Sequence, residues 1–194
     1  LMDANFPVLQ ANVVDDLTYG LGLMPVLPYV NKTVGPEEIK VAILGIGNHR
    51  VPYYELPGTI AGLTFTDPVS AGSTYAAALK TNNDAVIALT HIGFTENPDS
   101  EEVDSQVDTS LAAAVPGLDA IIGGHSHTDP SKQTAASGDY KYLPAIIAGP
   151  EGKPVVTTQA YRYNSYLGQI VLGFKSIAGG YEVAARAGRY LSVT

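Results

Sequence analysis

The chain has 194 residues, 45% of them hydrophobic and 15% charged, a globular composition that excludes an intrinsically disordered chain. The formal net charge of −8 excludes general affinity for nucleic acid polymers, and the lack of cysteine excludes disulfides and thiolate metal sites. No apolar run approaches the roughly 20 residues that a membrane-spanning helix needs, so we predict no membrane span.

The first part of the sequence favours β-strands. Strand patterns cover residues 8–13, 29–34 and 39–46, and the last is a nearly continuous apolar run, typical of a strand buried on both faces. The turn residues Gly35-Pro36-Glu37-Glu38 predict a hairpin between the second and third strands. Residues 47–66 are expected to form an extended loop. The opening residues lack a signal peptide pattern and are already strand-like, so we expect the chain to be the interior of a longer one.

Helices and strands alternate after this loop. Asp67 is a good N-cap and Pro68 suits the first helical position, so a helix is predicted that fades at Asn82-Asn83. The sequence then predicts a strand to His91, a polar loop over residues 95–102, a helix over 103–115 and a strand to Gly123. This alternation is typical of a doubly wound α/β fold with right-handed crossovers.

The last part of the chain changes character. Residues 155–160, 166–174 and 181–187 predict strands with short turns, including one at Gly179-Gly180. We expect an antiparallel section beside the α/β part. Residues 131–142 predict a polar loop that is long enough to be functional.

Three of the four histidines follow apolar strand patterns directly. His91 ends one predicted strand, while His125 and His127 follow the next, after Gly123-Gly124. Chemistry gathers at the carboxyl ends of strands in open α/β sheets, and neutral imidazole is the commonest metal ligand among side chains. We expect the two glycines to let the backbone turn, and an extended segment to point His125 and His127 to the same side.

This pattern predicts that His91, His125 and His127 converge as metal ligands. The alternatives are a hydrogen-bonded buried histidine at position 91 and exposed loop histidines at positions 125 and 127. The sequence shows no carboxylate-rich motif that would complete a catalytic metal site beside them.

Five segments, in this order and spacing, carry a resemblance to a known family. They are residues 6–13 (FPVLQANV), 62–68 (GLTFTDP), 90–93 (THIG), 117–127 (GLDAIIGGHSH) and 166–168 (YLG). The sequence resembles the catalytic domain of the bacterial 5′-nucleotidase family, within the calcineurin-like metallophosphoesterases, over nearly its whole length.

The resemblance implies a four-layer αββα sandwich with two metal ions at the strand ends. His91 and His125 would bind the second metal and His127 the first. The family's upstream Asp-x-His, bridging Asp and Asn-His of a Gly-Asn-His-Glu motif would precede residue 6. Residues 1–194 would then be one partial domain, the second half of the catalytic domain, without the family's nucleoside-binding domain.

Several other residues are weaker candidates. Gly47-Asn48-His49-Arg50 spells most of the Gly-Asn-His-Glu motif, but it follows a later strand and ends in Arg50, so His49 is interpreted as a loop residue near the mouth of the site. Asn12 is a weak substrate-binding candidate, and its alternative role is to hydrogen-bond neighbouring backbone. Asp129 could orient a ligand or cap a loop.

The aromatic run Tyr161, Tyr163 and Tyr166 could stack on a nucleobase. The alternative is that these rings pack over the predicted antiparallel strands.

The resulting hypothesis is metal-dependent hydrolysis of a phosphate ester, most simply a nucleotide. Two divalent ions (Zn, Mn, Fe or Mg) would polarise the phosphoryl oxygens and lower the pKa of a bound water. Partners would be a small phosphate ester and either the missing N-terminal half or a second copy of the chain. A periplasmic, extracellular or cell-surface location is expected. The alternative is a non-catalytic, metal-binding or structural fragment of a secreted or surface protein, because three histidines can hold one Zn²⁺.

Overall fold

The computed structural model describes residues 3–95, 106–133 and 143–193. The strands are β1 Val8–Leu9, β2 Val13–Asp15, β3 Val26–Leu27, β4 Tyr29–Val34, β5 Ile39–Ile46, β6 Leu63–Phe65, β7 Ala85–Thr90, β8 Ala120–Gly123, β9 Ala145–Ala148, β10 Pro154–Gln159, β11 Tyr166–Ile177 and β12 Gly180–Ser192. The helices are α1 Val51–Tyr54, α2 Pro68–Lys80 and α3 Asp108–Ala114, with 3₁₀ turns at Leu21–Leu23, Pro57–Thr59, Pro130–Lys132 and Pro150–Gly152. No helix in these ranges is long and apolar enough to cross a membrane.

A six-stranded mixed sheet forms the centre, in the order β4-β5-β7-β8-β10-β9. The four middle strands are parallel, while β4 and β9 run antiparallel at the two edges. The predicted hairpin of β4 and β5 is confirmed, with the bounds that the sequence predicted for each strand. The carboxyl ends of β5, β7, β8 and β10 therefore meet at one edge of the sheet.

Helices α2 and α3 pack on one face of this sheet and against each other. As predicted, α2 starts at Pro68, and the Asp67 side chain accepts a hydrogen bond from the Ser70 amide at 2.6 Å. The helices bury alternate residues of the middle strands, including Leu44, Val86 and Ile121.

The doubly wound expectation is wrong in one respect, because α2 and α3 share a face. The strand order proceeds in one direction from β5 through β7 to β8. Successive right-handed crossovers in one direction place their helices on the same side, and only a reversal of the order places a helix on the other side.

The long β11–β12 hairpin packs on β10. Its main polar anchor is Asp119, which is buried at the start of β8. One Asp119 oxygen lies 2.7 Å from the Arg186 guanidinium of β12, and the other lies 2.7 Å from Nζ of Lys80 in α2. The helical layer, the sheet and the hairpin are thus joined by one carboxylate.

The face of the sheet away from the helices is incompletely covered. Leu89 of β7 and Ile122 of β8 are register partners on this face, and they are 40% and 42% exposed. Central strands of an α/β sheet are normally buried on both faces. These two neighbouring apolar side chains are therefore left partly exposed in the middle of the sheet. We call this pair the open Leu89–Ile122 step.

The predicted strand over residues 8–13 is divided in the structure. The Gln10 amide donates to Leu27 of β3, whereas the next amide, Ala11, donates to Gly45 of β5. The chain therefore changes partners at this point, and β1 and β2 join different two-stranded sheets.

Other boundaries also differ from the predictions. The loop over residues 47–66 contains α1 and β6, and β6 pairs with β2. Helix α3 begins at Asp108 rather than at residue 103, with Val107 already extended. Strand β9 was not predicted, and β10 joins the main sheet parallel to β8 instead of the antiparallel section. Most of the predicted polar loops over 95–102 and 131–142 lie outside the described residues.

Candidate functional site

Two of the predicted metal ligands meet at the carboxyl edge of the sheet. His91 follows β7 directly, and His125 lies two residues beyond β8. Their ring centroids are 5.2 Å apart, with the ring planes at 65°. The backbone amide of His91 donates to the Ile46 carbonyl at the end of β5, which fixes its place at the strand ends.

The two glycines before His125 are required by close contacts. A Cβ on Gly123 would lie 1.9 Å from Oδ2 of Asp108, and a Cβ on Gly124 would lie 2.9 Å from Nδ1 of His91. Neither glycine has a positive φ; instead His125 and His127 do, at 87° and 50°. The expectation of an extended segment with turning glycines is therefore wrong, because the bend falls on the histidines.

Gln159, at the end of β10, holds the loop that carries these histidines. Its Nε2 donates to the Gly124 carbonyl at 2.8 Å, and its Oε1 accepts from the Thr128 amide at 2.5 Å. The side chain is 1% exposed, so both contacts are shielded from water. Gln159 was not among the predicted site residues, although a polar side chain at the end of a buried strand was a usable signal.

Gln133 and Ser126 also hold this loop, and we call these two residues and Gln159 the clamp. Gln133 donates from Nε2 to the Thr128 and Gln159 carbonyls. The hydroxyl of Ser126 accepts from the Phe94 amide at 3.0 Å, which links the loop after β8 to the loop after β7. Every group in the clamp is uncharged.

His127 lies beside a different neighbour. Its ring centroid is 6.5 Å from that of Tyr163. Within residues 3–95, 106–133 and 143–193, no three histidine, aspartate or glutamate side chains come close enough together to hold one metal ion. The structure thus pairs His91 with His125 and leaves His127 on the next bend of the same loop.

The sequence Gly47-Asn48-His49-Arg50 approaches the site through Asn48. The Asn48 amide nitrogen lies 3.1 Å from Nε2 of His125, which places the proton of a neutral His125 ring on Nδ1 when the amide donates. The Arg50 guanidinium lies 4.8 Å above the Tyr53 ring, and the Tyr54 and His125 ring centroids are 6.3 Å apart. The predicted position near the mouth of the site therefore fits this segment.

Asn12 has the backbone-binding role that was its alternative. It is fully buried, and its amide donates to the Gly47 and Thr66 carbonyls at 2.9 and 3.1 Å. Its Oδ1 accepts from the Gly47 amide and from Gln10. Both amide hydrogens are used, so Asn12 positions the Gly47 turn and has no donor left for a substrate.

Asp129 caps the 3₁₀ turn that follows the histidine loop. It accepts from the Ser131 hydroxyl and amide, at 2.6 and 2.8 Å. The Ser131 hydroxyl, with smaller help from its amide, lowers the pKa of Asp129 below its usual range. The side chain is therefore a local cap.

Asp108 is a buried carboxyl just beneath the site. It is 0% exposed, and its Oδ1 accepts from the Thr90 hydroxyl at 2.5 Å. Its Oδ2 has no hydrogen-bond partner among the described residues. Burial raises the pKa of Asp108 to about 7, against the opposing effect of the Thr90 hydrogen bond.

The three candidate tyrosines separate into two groups. Tyr161 and Tyr166 pack together with ring centroids 6.5 Å apart, and Tyr166 packs on Tyr190 at 6.4 Å. Tyr163 is 84% exposed and points its ring towards His127. Packing therefore accounts for two of the rings but not for the third.

Comparison with known proteins gives consistent relatives. The chain is 34% identical over 182 residues to a 5′-nucleotidase of Bos taurus, which covers 90% of this chain and 28% of that protein. It is 30% identical over 182 residues to a 5′-nucleotidase of Vibrio cholerae, which covers 89% of this chain and 31% of that protein. The chain therefore spans less than a third of the length of these curated relatives.

Solved structures give the same picture of the fold. The crystal structure of the calcineurin-like phosphoesterase YfkN from Bacillus subtilis matches with a TM-score of 0.73 at 25% identity, over 97% of this chain and 56% of that one. No protein-family model matches the chain.

Proposed function

We propose that the chain belongs to the 5′-nucleotidase family of calcineurin-like phosphoesterases, matching one segment of its longer members, and that it forms part of a metal-dependent phosphate ester hydrolase. Nucleotides are the proposed substrates, in keeping with the names of the curated relatives. A periplasmic, extracellular or cell-surface location is part of the same proposal. Residues 1–194 are proposed to be one partial catalytic domain.

The observation that carries this proposal is the His91–His125 pair at the ends of two adjacent parallel strands. Two imidazoles 5.2 Å apart on a rigid sheet edge suit divalent Zn, Mn or Fe, which accept nitrogen ligands. The close contact of Gly124 with the His91 ring supports the fit, because any side chain at position 124 would displace this ligand. His127, on the same loop, is proposed as a ligand of the other metal ion.

Bound metal ions would supply the Lewis acidity that such hydrolysis needs. The residues of this chain would hold the metal ions and keep the ligating side chains in position. His91 and His125 would present ring nitrogens at the sheet edge, and Gln159 would keep the loop of His125 and His127 in place. The Asn48 amide nitrogen lies 3.1 Å from Nε2 of His125, so a metal held at that ring nitrogen would take the place of this hydrogen bond.

The site needs further ligands from outside the described residues. The resemblance assigns them to an Asp-x-His segment and a bridging aspartate, and we propose that these come from the missing half of the domain or from a second chain. The open Leu89–Ile122 step supports this arrangement, because a second sheet packed there would cover it.

The experiment that tests the function measures phosphate release from AMP by the complete gene product, with Mn²⁺ or Zn²⁺ added. Turnover that falls at least about a hundredfold in His125→Ala supports the proposal. The exposed and distant Lys175→Ala variant is the matched control and should keep parental turnover. Parental turnover in His125→Ala would contradict the proposed site, and no turnover on any phosphate ester would contradict the proposed reaction.

A second candidate is a non-catalytic metal-binding fragment. The lack of a three-ligand cluster among the described residues favours its other form, a structural fragment. The 194-residue chain alone should then neither bind Zn²⁺ tightly nor hydrolyse esters. Robust hydrolysis of p-nitrophenyl phosphate by this chain alone, abolished by His125→Ala, would show instead that it holds a complete site.

A further inference from the structure

A cavity lies at the amino ends of β8 and β10, at the end of the sheet opposite the candidate site. It has a volume of about 260 Å³, and its wall is formed by the end of α2, the turn between α3 and β8, the turn before β10, and Arg186 of β12. Asp119, in this wall, directly precedes β8, whereas His125 follows the same strand. The cavity and the histidines therefore lie at opposite ends of β8.

Three basic side chains line this cavity, and we call it the basic cavity. Lys80 comes from α2, Lys153 from the turn before β10, and Arg186 from β12. The whole chain has only 11 lysines and arginines against 19 aspartates and glutamates, so the charge balance of this wall is the reverse of that of the protein. A concave surface lined by one sign of charge concentrates ions of the opposite sign.

The negative groups around the basic cavity offset these charges only in part. Asp119 is the one carboxylate among the described residues of the wall, and it accepts from both Lys80 and Arg186 at 2.7 Å. Glu182 of β12 is paired with Lys175 at 2.6 Å, so its charge is already matched. The carboxyl end of α2 adds about half a negative charge. Three cations against one carboxylate and this partial charge leave the described wall positive.

Arg186 and Lys80 keep N–H donors beyond those that Asp119 uses. Arg186 donates from Nε to the Asp119 carbonyl and from Nη2 to its carboxylate, while Nη1 makes a weak 3.5 Å contact with the Val183 carbonyl. A guanidinium has five N–H groups, so two of them have no partner among the described residues. Lys80 uses two of its three, on Asp119 and on the Asp84 carbonyl. The wall therefore offers spare donors as well as positive charge.

We propose that the basic cavity binds a tetrahedral oxyanion of the size of inorganic phosphate. The forked guanidinium of Arg186 suits two oxygens of one anion, and Lys80 and Lys153 act as point charges. The volume of about 260 Å³ holds such an anion together with several waters, since one water takes up about 30 Å³. This inference goes beyond the proposed function, because the cavity contains none of the histidines and serves no step of the hydrolysis.

The test measures the binding of inorganic phosphate to the complete gene product by titration calorimetry, with and without a chelator. Chloride keeps the ionic strength constant, so that general screening of charge does not vary. One phosphate per chain should remain bound in the presence of the chelator, because the cavity uses no metal ion. His125→Ala should keep this binding. Its loss in His125→Ala would place the phosphate at the histidines and overturn the inference.

Ala77→Glu places a carboxylate in the wall of the basic cavity. Ala77 is an exposed position inside α2, and glutamate is a good helix former, so the fold should be kept. Phosphate affinity should fall at least about tenfold, because the added charge repels the anion and pairs with the lysines. Ala78→Glu, at the next exposed position of α2 but outside the wall, has the same net charge and is the matched control. It should change the affinity by less than about threefold.

Lys153→Ala removes one of the three cations from an exposed turn and should weaken phosphate binding by about tenfold. Its control is Lys32→Ala in the edge strand β4, which should bind phosphate like the parent. No phosphate binding by the parent, or equal affinities in Ala77→Glu and Ala78→Glu, would overturn the inference. The measurement needs no turnover, so a failure of the proposed function, seen as no hydrolysis of AMP, leaves this test decisive.

Discussion

Gly123 lies so close to the Asp108 carboxyl group that there is no room for a side chain at position 123. A Cβ on Gly123 would lie 1.9 Å from Oδ2 of Asp108 and 3.1 Å from the Thr90 hydroxyl. The Asp108 and Thr90 side chains are buried and joined by a hydrogen bond, so neither can move aside without a cost in free energy. The first glycine of the Gly-Gly-His-Ser-His segment is therefore set by a buried carboxyl beneath the sheet edge.

Gly123→Ala should destabilise the fold. Overpacking of this kind costs about 1–3 kcal/mol, and we expect the free energy of unfolding in urea to fall by that amount. Gly58→Ala is the matched control, since a Cβ there has nothing within 4 Å, and it should change stability by less than about 0.5 kcal/mol. Combining Gly123→Ala with Asp108→Ala should cost less than the sum of the single changes. Strict additivity would show that the contact does not exist in solution.

The contribution of Asp108 to stability should fall as the pH rises from about 4 to about 7. Burial raises the pKa of Asp108 to about 7 from 3.8, so the folded protein holds this proton over a range where the unfolded chain has lost it. The stabilisation is complete below the unfolded pKa and is lost as the pH approaches the folded pKa. At about 1.4 kcal/mol for each pKa unit, the contribution of Asp108 is at most about 4 kcal/mol.

Asp108→Asn isolates this effect, because asparagine keeps the shape and does not titrate. Urea unfolding at pH 4.5 and 7.5 should show a smaller pH dependence in the variant than in the parent. The other titrating groups are common to both proteins and cancel in the difference. An identical pH dependence would mean that Asp108 ionises in the folded protein as it does in the unfolded chain.

Gln159→Leu should weaken metal binding at the histidines. The substitution removes the hydrogen bonds to the Gly124 carbonyl and the Thr128 amide, and loss of such supporting groups typically costs about 10–100-fold in metal affinity. Calorimetric titration of the complete gene product with Zn²⁺ measures the change. Gln169→Leu, an exposed glutamine that contacts Arg189 on the hairpin, is the control and should bind like the parent. If Gln159→Leu binds Zn²⁺ with the parental affinity, then Gln159 does not support the metal ligands.

The open Leu89–Ile122 step should make the 194-residue chain associate. Exposed apolar positions in the centre of a sheet attract a second sheet, either the missing half or another copy. Replacing both residues with threonine keeps β-propensity and should shift the chain towards the monomer in light scattering. Val34→Thr at the edge of β4 is the control, and it should leave the association unchanged. A parent that is already a stable monomer would show that this face needs no cover.

Tyr163→Gly should stabilise the fold. Glycine adopts a φ of 54° freely, and relief from the left-handed conformation is worth about 1 kcal/mol. Tyr161→Gly is the matched comparison, since it relieves the same kind of strain but loses the packing against Tyr166. We expect the melting temperature to rise for Tyr163→Gly and not for Tyr161→Gly. A lower melting temperature for Tyr163→Gly would mean that the exposed ring contributes to packing.

Local signals in the sequence were sufficient for much of the fold. The N-cap and proline at residues 67–68, and the continuous apolar run of β5, act through nearest neighbours and were predicted within a residue. The sequence pattern did not show which strands pair when they are far apart in the chain. Strand β9 is only four residues long and exists because Val156 of β10 lies opposite Ile146. The shared face of α2 and α3 depends on strand order, which no local pattern records.

The same division applies to the candidate site. The positions of His91 and His125 followed from the strands before them, so their proximity was predictable. The bend at His125 and the clamp by Gln159 were not, because both depend on atoms from β10 and α3 that are remote in sequence. Asn48 reaches His125 across 77 residues for the same reason.

The clamp on the histidine loop contains no ion pair. Gln159, Gln133 and Ser126 hold the loop with amide and hydroxyl groups that carry no charge. Salt screens contacts between charges and leaves hydrogen bonds between neutral groups largely unchanged. The position of the loop should therefore not depend on ionic strength.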